Sequence, residues 1–312
     1  CYHELCSPRP LWAAIDNSAP QGVETTKIKV TVYNNKLKTH AEILLVFVLF
    51  IFSCSGRNAE DAPPVGLAKQ MLEDSSYTWI AFKTSHFRFY YEADTYAAKH
   101  FAELRQGAEE ARLHALKLLG EKNYAPIIDL FYLDSREKML PVIGSQPKGW
   151  SDHQANTVLL ACNEKIRPYH RHEIMHILSM NFWKTPPMLE SWLLEGLAVY
   201  ADIPCLGYSL HEIAAYLQRE NKLVSLYSLV YRFRKLDDML AYMQSGSLVQ
   251  FLYEKYGREK FRSLWKQGII CLPEITGQNF REIEMEWQEF LQNVEPTKSE
   301  VDWQLLTEKG CG

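Results

Sequence analysis

His172-Glu173-Ile174-Met175-His176 and, eighteen residues further on, Glu195-Gly196-Leu197-Ala198-Val199-Tyr200 are the stretches that decide how this chain folds. Pro168 suits the first turn of a helix, so a helix is predicted from there to about Phe182. On it, residues four apart lie just over one turn apart and share a face, so the two imidazoles can meet one cation. Zinc takes imidazole nitrogen readily, and a catalytic site pairs three protein ligands with one open position. Glu173 stands one residue on, within reach of a water in that position. A third ligand is therefore required. Pro186-Pro187 open the next helix and Pro204 closes it, and Glu195 is the acid among its apolar neighbours Trp192, Leu193, Leu194, Leu197 and Ala198. An unpaired carboxylate is costly to bury there, and a divalent cation removes that cost.

The arrangement of metal helices then points to a family. A metzincin pattern would need Gly and His at 179 and 182, where the chain has Ser179 and Phe182. HEIMH, eighteen residues, then EGLAVY resembles the gluzincin metallopeptidases, in particular the peptidase MA-like domains of exported bacterial proteins. The likeness covers about residues 80–295. It implies a zinc-dependent peptidase with a zincin-like fold, His172, His176 and Glu195 as Zn2+ ligands, and Glu173 as general base. It also implies an oxyanion-stabilising tyrosine, onto which Tyr242 aligns, ahead of the helix segment SLVQFLYEKYG. The pattern departs at Gln244 and Ser245. The Gly-x-Met-Glu-Asn segment that holds a substrate amine in aminopeptidases has no counterpart in 140–171, so an endopeptidase is expected over an aminopeptidase. The alternative is a catalytically silent zincin-fold protein that binds rather than cleaves.

Working outward, the fold class predicted is α+β, a small mixed sheet in the N-terminal half and helices in the C-terminal half. HFRFYYE (86–92), PIIDLFYL (126–133) and NTVLLA (156–161) read as strands. Thr95–Leu119 reads as a long helix stopped by Gly120. Further helices are expected at 209–219, 243–256, 258–267 and 278–293, the last with Phe280, Ile283, Trp287, Phe290 and Leu291 on a packing face. NTVLLA could pair with an extended peptide by strand addition, provided one of its edges is free. His153 and His170 flank the metal helix and could support a ligand or touch substrate. Asp202, seven residues after Glu195, could hydrogen-bond a ligating histidine.

The N-terminal third carries an address. Residues 43–52 (ILLVFVLFIF) are ten apolar residues, too few to span a bilayer and the length of a signal-peptide core. Lys36, Lys38 and His40 precede them, and Ile51-Phe52-Ser53-Cys54 resembles a bacterial lipobox, with Phe52 bulkier than usual. The other reading of this run is a buried strand. The expected organisation is a leader of doubtful origin at 1–35, a signal and lipobox at 36–54, a tether at 55–75, one metallopeptidase domain at 76–295 and a tail at 296–312. An exported protein, periplasmic or at the cell surface and lipid-anchored to a membrane through Cys54, acting on a peptide or protein substrate, follows. The composition agrees: 312 residues, 47% hydrophobic, with Lys+Arg 34 against Asp+Glu 38, give an ordinary globular chain of net charge −4 and no basic face for nucleic acid. Cys162, Cys205, Cys271 and Cys311 have no CxxC spacing, and their pairing is not readable from sequence.

Overall fold

The computed structural model describes residues 64–187, 190–296 and 300–311, all within one compact unit. The leader, signal and lipobox at 1–54 lie outside the described residues. In chain order the elements are α1 (Gly66–Glu73), β1 (Trp79–Lys83), β2 (Phe87–Glu92), α2 (Tyr96–Lys99), α3 (Phe101–Leu119), β3 (Ile128–Leu133), α4 (Leu140–Ile143), β4 (Gly149–Asp152) and β5 (Thr157–Ala161). They continue with α5 (His170–Trp183), α6 (Ser191–Ala201), α7 (Leu210–Arg219), α8 (Leu226–Arg232), α9 (Asp238–Tyr256), α10 (Arg258–Gln267), α11 (Leu272–Thr276), α12 (Phe280–Gln292) and α13 (Trp303–Lys309). The expected α+β division, sheet first and helices after, is what the chain adopts. The long helix expected over 95–119 is interrupted at His100, where the backbone leaves the helical region, and Gly120 ends it at φ 73°.

The sheet order is β1-β2-β3-β5-β4. β2, β3 and β5 run parallel, and the outer strands β1 and β4 pair antiparallel to their neighbours. β3 is buried along its whole length. Its one charge, Asp129, is held by both Nε and a terminal nitrogen of Arg88 on β2, at 2.6 and 2.8 Å. Burying that carboxylate is tolerable because the guanidinium grips it at two points.

Strand alternation separates two hydrophobic layers. Phe87, Phe89, Leu130, Tyr132, Val158 and Leu160 turn toward α3, α5 and the C-terminal helices. Tyr90, Phe131, Leu133, Leu159 and Ala161 turn to the other face, where Ala68 and Met71 of α1 cover them. The stretch expected to be a tether is thus helical and packed from Gly66 onward. The expected tail differs in the same way: Val301 and Leu306 are buried with Val199, Leu210 and Ile213, and Cys311 forms a disulfide with Cys205. Both segments are short, and their apolar residues become core only through partners elsewhere in the chain. Cys162 is a buried free thiol.

α5 lies between the sheet, α3 and α6, and α6 in turn packs along α9. The α6–α9 approach depends on two glycines. A Cβ on Gly196 would lie 2.6 Å from Val249 Cγ2 and 2.8 Å from the Ser245 carbonyl oxygen. One on Gly246 would lie 2.7 Å from Val199 Cγ1. Alanine gains roughly 1 kcal/mol over glycine in a helix. The clash with a backbone oxygen cannot be relieved by a rotamer change, and overpacking costs about 1–3 kcal/mol. Gly196→Ala should therefore lower the urea unfolding free energy. A variant as stable as wild type would show that the two helices do not meet this closely.

Candidate active site

α5 and α6 bring three side chains to a point. His172 Nε2 is 3.2 Å from Glu195 Oε2 and 3.2 Å from His176 Nε2, and His176 Nε2 is 3.4 Å from Glu195 Oε2. A zinc ion at about 2.0–2.1 Å from each donor, with tetrahedral angles, would set its ligands about 3.3–3.4 Å apart. The observed triangle has that size, and two imidazoles with one carboxylate are a donor set that zinc accepts. The residues fit the ion.

The electrostatics follow from the crowding. Burial would raise the Glu195 carboxyl, but His176 and His172 beside it hold it well below the usual carboxylate range. For His172, burial opposes the charge, yet the hydrogen bond to Glu195 and the charge of Glu173 outweigh it and raise the imidazole to about 9. An ion-paired cluster of this kind is the state a bound divalent cation would replace. His176 Nδ1 is buried and has no hydrogen-bond partner among the described residues.

Glu173 follows His172 on α5 and points at β4. A Cβ on Gly149 would fall 2.4 Å from Glu173 Oε1, so the absence of a side chain on the strand is what lets the carboxylate sit there. Burial raises the Glu173 carboxyl, partly offset by the two histidines and by a hydrogen bond from Ser151. Gly149 and Ser151 were not readable as site residues. β4 is four residues long, Gly-Trp-Ser-Asp, and has no apolar alternation to mark it.

Tyr242 on α9 completes the group. Its ring stacks on His172, with centroids 6.2 Å apart at 20°. Its hydroxyl hydrogen-bonds the Glu195 carboxylate; burial first, then that carboxylate, push the phenol well above its ordinary range. It remains a donor at any physiological pH.

Four other sequence expectations end differently. β5 has β3 on one edge and β4 on the other, so NTVLLA has no free edge for a peptide. The terminal strand on that side is β4. Asp202 does not reach a histidine; its carboxylate accepts from Arg167 at 2.7 Å, a charge closer than either imidazole. His170 faces the core, where Tyr132 Oη lies 2.7 Å from its Nε2 and burial lowers its pKa to about 3. His153 offers its carbonyl to Asn181 Nδ2 and does not line the cavity at the site.

A helix carrying two histidines and a carboxylate, a neighbouring helix supplying a third donor, and an antiparallel edge strand over the carboxylate define a metallopeptidase-like architecture. The family model for the peptidase MA superfamily matches residues 167–293, the segment that runs from just before α5 through α12. Over that segment the chain is similar to the peptidase MA superfamily, which supports a peptidase-like hydrolase at that level. No curated protein matches the chain significantly.

The protein is expected to take up one equivalent of Zn2+. At about a hundred times its Kd the metal should add about 2.7 kcal/mol to the unfolding free energy. Glu195→Ala and His176→Ala should each weaken binding by more than the roughly 10–100-fold that loss of a supporting partner costs. Calorimetric titration checks this, and unchanged affinity in both variants would move the metal elsewhere.

Proposed function

We propose that the protein is an exported, lipid-anchored zinc peptidase. The observation that carries this reading is the tetrahedral-sized triangle of His172, His176 and Glu195 with the buried Glu173 carboxylate beside it. When bound there, zinc supplies Lewis-acid chemistry for a water and for a scissile carbonyl. Glu173, its basicity raised by burial, takes the proton of the attacking water and returns it to the leaving amine. Tyr242, kept protonated, donates to the oxyanion that develops opposite. The outer edge of β4 offers backbone groups along which an extended peptide can lie.

The aminopeptidase reading gains no support. Asp152, the acid on β4, accepts at Oδ1 from the backbone N–H of Gln154 and Ala155 and does not line the cavity at the site. The silent-binder alternative gains none either, since His172, His176 and Glu195 lie together with Glu173 and Tyr242 beside them. Export is supported by the apolar run 43–52 and by the Cys205–Cys311 disulfide, which suits an oxidising compartment. Anchoring through Cys54 rests on the lipobox resemblance, and among the described residues no helix is long and apolar enough to cross a membrane. A net charge of −4 gives no reason to expect nucleic acid as a partner.

Glu173→Gln should retain zinc at the wild-type stoichiometry and lose peptide hydrolysis. Cleavage of a mixed peptide library at the wild-type rate would overturn the mechanism. Gly149→Ala should also bind zinc normally but slow turnover, because the new methyl displaces Glu173 and a misplacement of about 1 Å can cost on the order of a hundredfold. Wild-type kcat in that variant would show that β4 does not position the base.

A further inference from the structure

Beside the metal triangle lies a cavity of about 450 Å3, a size that suits a small ligand or a few residues of peptide. His172, Glu173 and Tyr242 form one wall. Another wall is basic, made of Arg136 and Lys148. Lys148 immediately precedes Gly149, the residue against Glu173, about 3.3 Å away from it along an extended backbone. Its ammonium is half-buried and donates to the Lys309 carbonyl at 2.5 Å and the Tyr169 hydroxyl at 3.3 Å. No carboxylate among the described residues pairs with it. Arg136 donates to the Gln146 carbonyl at 2.5 Å and also has no acid partner among the described residues. Arg167 is different, since Asp202 neutralises it. Besides Glu173, the acids on the cavity are the buried Asp202, which is paired with Arg167, and Asp237, Asp238 and Glu308, which are exposed; Asp237 caps α9 by accepting from Leu240 N–H.

A half-buried ammonium without a counter-charge is expensive to keep next to a reaction site unless a ligand supplies the charge. Burial, then Arg136 and Arg167, depress the Lys148 pKa, which an incoming anion would reverse. The C-terminal strap tells which anion. It is fixed by the Cys205–Cys311 disulfide and the buried Val301 and Leu306. It crosses the cavity at Lys148: a Cβ on Gly310 would be 2.9 Å from Lys148 Nζ. A peptide lying past Glu173 toward Lys148 meets this strap and has to end.

We propose that Lys148 and Arg136 form a subsite for the free C-terminal carboxylate of a peptide substrate, so that the protein acts near the carboxyl ends of peptides. This rests on the peptidase reading, and it replaces the endopeptidase expectation drawn from sequence.

The test is binding to full-chain, zinc-loaded Glu173→Gln protein, measured by calorimetry with three probes: an N-acetylated neutral tripeptide acid, its C-terminal amide, and an amidated tripeptide with an internal Asp. The acid should bind about tenfold or more tighter than its amide, the size of one charge-assisted hydrogen bond. In Lys148→Met the two should become equal, with the amide's affinity unchanged. Arg136→Gln, whose side chain is exposed and tolerant of change, should narrow the gap and serves if Lys148→Met does not fold. Equal binding of acid and amide overturns the proposal. So does an Asp-containing amide that binds as tightly as the acid, which would make an internal side chain the ligand. Wild-type cleavage of amidated peptides as fast as acids would sink this subsite and leave the peptidase reading standing. Preferential binding of the acid with no cleavage of any peptide would do the reverse.

Discussion

The meeting of Glu195 with His172 and His176 across the α5–α6 interface is the interaction on which the rest of the structure depends. Two imidazole nitrogens and a carboxylate oxygen are held 3.2–3.4 Å apart in a largely enclosed position. That requires α6 to be delivered to one place, and the delivery comes from α9 behind it. Gly196 follows Glu195 directly, and without a Cβ there α6 can lie against the Ser245 carbonyl. The same α9 brings Tyr242 to the opposite side of the cluster. One close helix pair thus sets both Glu195 beside the two histidines and the Tyr242 ring against His172.

The sheet plays the complementary part. Its parallel centre is an apolar slab on which α5 rests, and its terminal strand β4 overhangs the α5 carboxylate. Glu173 is confined between Gly149 and the histidines, and its proton affinity is set by burial rather than by a partner. The strap from Val301 to Cys311 adds a wall that the sheet and the metal helices lack. It closes one side of the cavity beside Glu173, where Lys148 and Arg136 lie.

Much of this was legible in the sequence, for definite reasons. The helix that brings His172 and His176 together was readable because a four-residue spacing has one geometric meaning on a helix. Glu195 stood out as an acid among apolar neighbours. The strands β2, β3 and β5 are continuous or alternating apolar runs, and α7 and α12 begin with capping boxes, Ser209–Glu212 and Asn279–Glu282. What was not legible depends on partners distant in sequence. β4 has too few residues to show a period. Val301, Leu306 and Cys311 become core only through contacts with α6, α7 and Cys205. NTVLLA looked able to receive a peptide because a strand's own sequence says nothing of which strands flank it. Asp202 lay on a face near Glu195, but Arg167, thirty-five residues upstream, is closer.

As proposed, two histidines and one glutamate from two helices hold zinc tetrahedrally with one open position. X-ray absorption at the zinc edge of the metal-loaded full chain tests it most directly. The account predicts a four-coordinate shell of nitrogen and oxygen at about 2.0–2.1 Å, with the outer-shell scattering of two imidazoles and no sulfur. A sulfur shell at about 2.3 Å, or a six-coordinate oxygen shell without imidazole scattering, would contradict it.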